Sequence, residues 1–380
     1  MDKAKIVFFI DWFYPAFKAG GPIKSVYNLA NLIQNSYDVL VVTSDRDIDG
    51  AQVSEVLNKE VRLESGLKVI YLKTDIQFVN HALRIIKEFS PDYLHLNSLF
   101  SKYFSIVPIL LSIYSNRKLI LAPRGMLTDE ALRIKSFKKK LFIFFSKFLF
   151  KIANVVFHAS TNHEVAQITA SYGKGFQVKI AQNVSSSPSL RNIERLSADV
   201  DQVRLVFISR ISPIKNLLWF LNIFKKLNNT KLVLDIFGPL EDERYWEKCN
   251  EVISGNDKIK YKGVLKPDEV AGVLGKYHFF VLPSGNENFG HSIVESIANG
   301  VPVIISDRTP WLDLKSNDVG FDLSLSDENA WSSALNETIN IIKNQKEYSK
   351  MVKACYQYSV NFILNDSIRN QNLNLFKKNE

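Results

Sequence analysis

Two glutamates eight residues apart, Glu287 and Glu295, lie in the stretch PSGNENFGHSIVESIANGVP that runs from residue 283 to 302. The apolar run HFFVL before it predicts a buried parallel strand, and a helix is predicted from about Gly290 to Asn299. Glu287 then lies in a loop at the carboxyl edge of a sheet, and Glu295 about one and a half turns into the helix. The free N–H groups at the helix start and the positive end of its dipole favour an anion there. This arrangement suits a sugar linked to a phosphate, and taken alone it also fits a capped helix with two surface carboxylates.

Two cations, Arg210 and Lys215, follow another predicted strand in the segment FISRISPIKN. Arg210 leaves the strand end, and Lys215 lies at the start of the next helix. A planar guanidinium fork and an ammonium point charge at one sheet edge suit a diphosphate. Two solvated loop cations are the alternative interpretation.

Glycines mark further strand ends. Gly20 and Gly21 lie between the first strand and the first helix, where backbone N–H groups can approach a phosphate, although a plain turn has the same composition. The G-x-G-x-x-G and P-loop patterns are absent from the sequence. After later strands, backbone groups of Gly238, Val264 and Leu265 are expected to line a nucleotide base.

The elements that position these residues alternate between short apolar strands and helices, which indicates parallel sheets covered on both faces. Residues 184–202 lose this pattern and predict a linker between two domains. We therefore predict two doubly wound domains, 1–185 and 200–362, facing a cleft, followed by a mostly helical C-terminal stretch. The predicted strands are Lys5–Ile10, Asp38–Thr43, Lys68–Leu72, Tyr93–Leu96, Lys118–Ala122, Val155–Ala159, Val178–Ala181, Val203–Ile208, Leu232–Phe237, Ile259–Lys262, Phe279–Leu282 and Val303–Ile305.

Composition narrows the class of protein. A chain of 380 residues with 46% hydrophobic residues is long and apolar enough for two cores. Two distant cysteines, Cys249 and Cys355, favour a reducing compartment without disulfides. With neither a signal peptide nor an apolar run of 18 residues in the sequence, we expect a cytoplasmic protein that does not span a membrane.

The net charge of +9 is concentrated in Lys135–Lys151, which holds six lysines, six phenylalanines and no acid. Such a helix suits an anionic membrane surface, and it also fits a packed helix with a solvated lysine face. Nucleic-acid binding is not expected, because no recognition motif accompanies the charge. The residues expected at the membrane are Lys138, Lys139, Lys140, Phe144, Phe145, Lys147 and Phe148.

The combination of Arg210 and Lys215 with the E-x7-E spacing ahead of NGVP resembles the retaining glycosyltransferases of family 4. The segments FYPAFKAGGPIKSVYNLA, LHLNSLFS and APRGML resemble the branch that builds bacterial O-antigen, capsule and other exopolysaccharides. The resemblance runs from Lys5 to about Phe362. It implies the GT-B fold of two Rossmann-like domains, with about 363–380 as a helix that returns to the first domain. It also implies a nucleotide-diphosphate sugar donor with UDP favoured, and no obligatory metal or other cofactor. It also implies an undecaprenyl-diphosphate-linked saccharide acceptor at the inner face of the cytoplasmic membrane.

The resemblance also implies roles for individual residues. Arg210 and Lys215 would bind the diphosphate and stabilise the departing charge, so that no protein nucleophile is needed. Glu295 would hold the ribose hydroxyls and Glu287 those of the sugar. The donor would be contacted as well by Asn288, Phe289 and Gly290, and by Gly20 and Gly21 from the other domain.

One position departs from the family pattern. Where many members carry a histidine after the fifth strand, this chain has Arg124, which cannot act as a base but is suited to clamp a phosphate of the donor or acceptor. His95 is the nearest titratable substitute, unless it is a hydrogen-bonded histidine at a strand end. Asn97, Ser160, Glu164 and Asn183 also follow strands.

Two other functions remain open from the sequence: a sugar-nucleotide epimerase of the same fold, and a non-catalytic protein that binds a membrane surface. Release of nucleotide to an acceptor separates transfer from epimerisation. A non-catalytic protein would have no affinity for nucleotides and would leave the E-x7-E pattern unexplained.

Overall fold

A computed structural model describes residues 3–133, 136–185, 202–363 and 365–377. The chain divides into two compact units. The N-terminal unit consists of Met1–Val184 and Asp366–Glu380, and the C-terminal unit is Ser185–Asn365. Residues 186–201 of the predicted linker lie outside the described residues.

The N-terminal unit is built on one twisted sheet. Its strands are β1 (Lys5–Phe9), β2 (Asp38–Ser44), β3 (Glu60–Arg62), β4 (Lys68–Leu72), β5 (Tyr93–Leu96), β6 (Lys118–Leu121), β7 (Val156–Ala159) and β8 (Val178–Ile180). They lie in the order β3-β4-β2-β1-β5-β6-β7-β8, and among the described residues each neighbouring pair is parallel except β3 with β4.

Helices cover both faces of this sheet, because its strands are apolar on both sides. In β1, Val7 and Phe9 pack into the core on one face, while Ile6 and Phe8 pack into the core on the other. Continuous burial of this kind is typical of parallel sheets. The helices are α1 (Gly21–Ile33), α2 (Phe78–Phe89), α3 (Val107–Ser115), α4 (Asp129–Arg133), α5 (Ser136–Ile152) and α6 (Asn162–Tyr172), with a π-helical turn at Lys102–Ile106.

The C-terminal unit repeats this architecture around a second parallel sheet. Its strands are β9 (Val203–Ile208), β10 (Leu232–Phe237), β11 (Ile259–Tyr261), β12 (Phe279–Leu282), β13 (Val303–Ser306) and β14 (Gly320–Leu323), in the order β11-β10-β9-β12-β13-β14. Its helices are α7 (Leu217–Leu227), α8 (Glu243–Ile253), α9 (Val270–Leu274), α10 (His291–Ala298), α11 (Glu328–Lys343) and α12 (Gln345–Ile363).

The last helix, α13 (Asp366–Asn374), belongs to the N-terminal unit, as the predicted returning helix requires. The Tyr37 hydroxyl donates to the carbonyl oxygen of Leu373 (2.9 Å), and the Asn372 amide donates to that of Gln182 (2.8 Å). Phe376, only 2% exposed, closes the apolar core beside it. None of the helices in the described ranges has the length and apolarity needed to cross a bilayer.

The predicted strands all appear, and the described residues contain two more, β3 and β14, that the sequence did not predict. The short strand β3 is polar, half exposed and antiparallel at the sheet edge, so it carries no apolar signal. The edge strand β14 begins with a glycine and pairs with β13 on one side. Edge strands of this kind have weak composition signals because only part of their surface is buried.

Candidate active site

Two loops meet at the carboxyl edge of the C-terminal sheet, because β9 and β12 are neighbours. The loop after β9 ends in the 3₁₀ turn Pro213–Lys215, and the loop after β12 begins at Pro283. The carbonyl oxygen of Ile214 accepts hydrogen bonds from the Gly285 N–H (2.7 Å) and the Ser284 hydroxyl (3.2 Å). These bonds hold the predicted cation segment beside the predicted carboxylate segment.

Lys215 and Glu287 form an ion pair between these loops. Lys215 Nζ lies 2.5 Å from Glu287 Oε1, and each side chain is only 11% exposed. The Glu287 N–H donates to the carbonyl oxygen of Arg308 (3.1 Å), which fixes the carboxylate from the backbone side. Two charges this enclosed attract more strongly than they would at a surface, and each depends on the other to offset its desolvation. The structure therefore brings two predicted site residues into direct contact.

Arg210 also binds a carboxylate. Its Nη1 lies 2.6 Å from Glu241 Oε1, with the two side chains 33% and 40% exposed. Backbone bonds from Ile211 N–H to Pro239 O (2.8 Å) and from Glu241 N–H to Ile211 O (3.1 Å) join the two loops. The sequence analysis missed Glu241. The signal available in the sequence was its position, three residues beyond Gly238 in the loop after the neighbouring strand.

Gly238 allows the loops after β9 and β10 to approach each other. Its φ is 146°, and a Cβ there would lie 1.8 Å from the carbonyl oxygen of Ser209. Its N–H donates to the carbonyl oxygen of Gly263 (2.9 Å), beside the predicted base-lining residues. Val264 is 41% exposed, whereas Leu265 packs partly on the core. The three predicted residues therefore lie along neighbouring strand ends.

Helix α10 begins at His291, one residue later than predicted. Gly290 precedes it in the left-handed region, with φ 81°, where a Cβ would come within 2.7 Å of Ile293. Phe289 is 4% exposed, and its carbonyl oxygen accepts a hydrogen bond from the Trp311 indole (2.5 Å). The Phe289 ring is thus a core anchor, and the His291 ring packs 4.7 Å from it. The half-buried Asn288 and Glu295 lie on either side of this helix start.

The paired glycines of the N-terminal unit lie at the start of α1. Gly20 is the residue before the helix, and Gly21 is its first residue. The loop that leads to them is held by Asp47, whose Oδ2 accepts from the N–H groups of Phe17 (3.0 Å) and Lys18 (3.2 Å). The hydrogen bonds to Asp47 therefore fix the loop just before Gly20 and Gly21, and so set where the two glycines lie.

Arg124 follows β6 and is held by amide oxygens. Its Nε and Nη2 donate to Asn97 Oδ1 (3.3 and 3.0 Å), and its Nη1 donates to Asn183 Oδ1 (2.6 Å). Burial lowers the pKa of Arg124 to about 10, which leaves the guanidinium charged at neutral pH. Its hydrogen-bond partners among the described residues are neutral amides, and the nearby Glu164 carboxylate offsets part of its charge.

Glu164 fixes the loop that carries Arg124. This carboxylate is 1% exposed and accepts three hydrogen bonds of 2.8 Å, from the Gly125 N–H, the Ser160 N–H and the Ser160 hydroxyl. The sequence places Asn97, Ser160 and Glu164 only at separate strand ends. The structure places Asn97 on the Arg124 guanidinium and Ser160 on the Glu164 carboxylate that holds Gly125.

The expectation that His95 substitutes for a catalytic histidine needs correction. His95 is fully buried, and its ring nitrogens are hydrogen-bonded to Asn97 (2.9 Å) and His158 (3.1 Å). Burial, reinforced by His158 and Arg124, holds the pKa of His95 well below its ordinary range. A neutral, enclosed imidazole does not exchange protons with a substrate. His95 is a hydrogen-bonded histidine at a strand end, the alternative that the sequence left open.

Helix α5 presents an exposed apolar stripe. Phe137, Leu141, Phe144, Phe145, Phe148 and Ile152 are 47–78% exposed and recur at helical spacing, while Ile143 and Phe150 of the opposite face are buried. Lys138, Lys140 and Lys151 are exposed, and Lys147 is partly buried. Lys139 differs from the expectation, because its Nζ donates to the carbonyl oxygen of Ala131 (2.6 Å) and lies over the Phe100 ring. Lys135 lies outside the described residues.

Comparison with known proteins finds a family model that matches part of the chain. The profile of the family described as "Glycosyl transferases group 1" matches residues 190–358. A relative described as "Uncharacterized 41.2 kDa protein in cps region" of Klebsiella pneumoniae is 20% identical over 294 residues, covering 75% of this chain and 78% of its own.

Solved structures show the same two-unit fold. Anabaena Alr3699/HepE in complex with UDP-glucose superposes with a TM-score of 0.73 and 14% identity, covering 98% of both chains. WaaG, described as a glycosyltransferase involved in lipopolysaccharide biosynthesis, superposes with a TM-score of 0.65 and 11% identity, covering 98% of this chain and 100% of its own. The match of residues 190–358 to the glycosyl transferases group 1 model therefore supports a glycosyltransferase enzyme, and the solved structures show the GT-B fold.

Proposed function

We propose that the protein is a retaining glycosyltransferase of family 4 that builds a bacterial surface polysaccharide, either O-antigen or capsule. Its donor is a nucleotide-diphosphate sugar, with UDP as the favoured nucleotide, and its acceptor is a saccharide on undecaprenyl diphosphate. The observation that carries the proposal is the enclosed Lys215–Glu287 ion pair in the group 1 domain. The UDP-glucose bound by HepE and the lipopolysaccharide role of WaaG support it.

When the donor binds, its diphosphate replaces the carboxylates that Lys215 and Arg210 hold in the free protein. Lys215 and Arg210 each hold one carboxylate, and the diphosphate offers the same cations two linked anionic groups. Once Lys215 turns to phosphate, the released Glu287 carboxylate accepts hydrogen bonds from sugar hydroxyls. The N–H groups at the start of α10 add a positive end dipole.

Transfer then breaks the bond between the sugar anomeric carbon and the leaving phosphate oxygen. The acceptor hydroxyl forms its new bond on the same face and gives its proton to that phosphate oxygen. Negative charge develops on the diphosphate, where Lys215 and Arg210 stabilise it. Because these cations supply the charge, we expect transfer to continue in EDTA, and product NMR to show the anomeric configuration of the donor.

Arg124 binds a second phosphate, from the donor or from the acceptor's diphosphate. A partly buried guanidinium whose hydrogen bonds go to neutral amides keeps N–H groups for an anion, even though the Glu164 carboxylate offsets part of its charge. We expect Arg124→Ala to lower transfer strongly, and Arg124→Lys to restore little, because an ammonium group lacks the planar fork.

A thermal-shift screen against UDP, GDP, ADP and their sugars tests the donor site. Ligand at a hundredfold excess over its Kd stabilises the native state by about 2.7 kcal/mol. The shift with the correct nucleotide disappears in Lys215→Ala and persists in Lys226→Ala, which removes an exposed lysine from the same unit. A full shift retained by Lys215→Ala contradicts the assigned donor site.

The exposed stripe of α5 binds the anionic inner face of the cytoplasmic membrane. Its phenylalanines reach the acyl boundary while Lys138, Lys140 and Lys151 meet lipid headgroups, each worth about 1 kcal/mol. The full-length protein is expected to sediment with phosphatidylglycerol vesicles and not with phosphatidylcholine vesicles. Phe144→Ser with Phe148→Ser abolishes this, whereas Ile76→Ser, a change at a 92% exposed position elsewhere, leaves it intact. Sedimentation unchanged by the double substitution contradicts the docking role.

A further inference from the structure

A buried polar chain runs beneath Arg124 along the carboxyl ends of β5 to β8. It consists of Asn97, His95, His158 and the carbonyl oxygen of Ala181. Asn97 Nδ2 lies 2.9 Å from His95 Nδ1, His95 Nε2 lies 3.1 Å from His158 Nδ1, and His158 Nε2 lies 2.9 Å from Ala181 O. Both histidines are at most 2% exposed.

The protons of this chain have one consistent arrangement. Burial lowers the pKa of His158 to about 3 and that of His95 well below its ordinary range, so each ring carries a single N–H at neutral pH. A carbonyl oxygen only accepts, so His158 Nε2 carries its proton and Nδ1 accepts from His95. His95 Nε2 is then the donor, and His95 Nδ1 accepts from the Asn97 amide.

The direction of hydrogen-bond donation along this chain decides which way the Asn97 amide faces. Since its Nδ2 must donate to His95, its Oδ1 faces Arg124 and accepts from both Nε and Nη2. A flipped amide would place two donors against each other at Arg124 and two acceptors against each other at His95. The orientation of the guanidinium thus depends on His158, which is hydrogen-bonded to His95 and Ala181 and not to Arg124.

We propose that His158 and His95 are positioning residues that hold the Arg124 guanidinium ready for a substrate phosphate. A guanidinium has five N–H groups, and the bonds to Asn97 and Asn183 use three of them. The other two have no acceptor among the described residues, and they suit two oxygens of one phosphate. Only the identity of the anion rests on the proposed function. The positioning of Arg124 by the two histidines does not depend on it.

NMR of the arginine side chains in the free, full-length protein tests the positioning without any substrate. A 1H–15N spectrum of arginine-labelled protein should show a sharp, slowly exchanging Arg124 Nε–H signal, assigned by its loss in Arg124→Lys. In His158→Asn the amide oxygen takes the place of Nδ1 and keeps the bond to His95. In His158→Gln the amide takes the place of Nε2 and keeps only the bond to Ala181.

The signal is expected in His158→Asn and absent, through rapid exchange, in His158→Gln. His278→Leu is the matched control, because it removes a fully buried histidine from the C-terminal unit and should leave the signal unchanged. A signal kept by His158→Gln, or lost equally in both His158 variants, overturns the positioning role.

Transfer kinetics test whether the positioning serves catalysis. His158→Gln should lower kcat/KM by up to about a hundredfold, the cost of a misplacement of about 1 Å. In an Arg124→Ala background the same substitution should cause no further loss, because both changes remove one function. A further loss in that background overturns the inference. If the full-length protein shows no transfer from any nucleotide sugar while the NMR pattern holds, the proposed function fails and the positioning stands. If Arg124→Ala leaves an observed transfer unchanged, the phosphate role of Arg124 fails.

Discussion

Replacing Lys215 by methionine leaves the Glu287 carboxylate enclosed at 11% exposure without its partner. Replacing Glu287 by leucine strands the ammonium group in the same way. Removing one partner of a buried pair costs about 3 kcal/mol, whereas replacing both by apolar residues is often close to neutral. We therefore expect each single variant to lose about 3 kcal/mol of unfolding free energy, and the double variant to lose less than either.

The Arg210–Glu241 pair in the same unit provides the control. Its side chains are 33% and 40% exposed, so water already solvates both charges and screens their attraction. Exposed pairs contribute about 0.5 kcal/mol. Glu241→Gln should therefore cost much less than Glu287→Leu, although the ion-pair distances are nearly equal.

Urea unfolding followed by tryptophan fluorescence measures these losses in the relevant unit. Trp219, Trp246, Trp311 and Trp331, four of the five tryptophans, lie in the C-terminal unit. A loss of about 3 kcal/mol corresponds to a fall in Tm of about 6–12 °C for a unit of this size. Additive losses in the double variant, or single losses as small as that of Glu241→Gln, refute the argument that enclosure makes the pair interdependent.

Three further predictions concern stability. Gly238→Ala should cost about 3 kcal/mol, because its Cβ meets a backbone oxygen, whereas Gly272→Ala, with open space around it, should cost almost nothing in the same urea assay. Burial lowers the pKa of His278 to about 4. Between pH 6.5 and 4 this histidine is therefore protonated in the unfolded chain and neutral in the folded unit. Stability should fall by up to about 1.4 kcal/mol per pH unit between 6.5 and 4, and His278→Leu should flatten that slope. On α5, Ile143→Ala should cost about 2 kcal/mol in thermal unfolding and Phe144→Ala almost nothing, since only the first is buried.

Much of the fold follows from short-range pattern. Continuous apolar runs such as β1 and β12 predict parallel strands because both faces of such sheets are buried, and the helices between them carry the same signal. The edge strands β3 and β14 escape prediction because partial burial leaves their composition close to that of loops. Boundaries follow backbone details that composition does not carry, as at Gly290, whose left-handed conformation delays α10 by one residue.

The residues of the site are predictable by type, but their partners are not. Lys215 and Glu287 are 72 residues apart, and nothing local says that a cation expected on phosphate holds the carboxylate expected on sugar. Nothing in the sequence distinguishes Glu241 from other acidic residues. Its contact with Arg210 follows only from the pairing of β9 with β10. His158 stands in an apolar run, VVFHAS, where a histidine looks like ordinary core. Its hydrogen bonds to His95 and Ala181 become visible only when the carboxyl ends of β5 to β8 are placed side by side in the sheet.

The two units hold their cations in different ways, and the difference bears on affinity. Lys215 and Arg210 rest on carboxylates, so a diphosphate that binds them gains only the difference between its own attraction and that of the acids it displaces. The hydrogen bonds of Arg124 go to amides that orient its fork. Glu164 offsets part of its charge from nearby, but an anion that binds Arg124 displaces no hydrogen-bonded carboxylate. Such a cation needs a rigid, uncharged support, and amides whose orientation is set by neutral buried histidines supply one. On the proposed assignment, Lys215 and Arg210 therefore favour exchange and release of the diphosphate, whereas Arg124 favours a fixed hold on a phosphate.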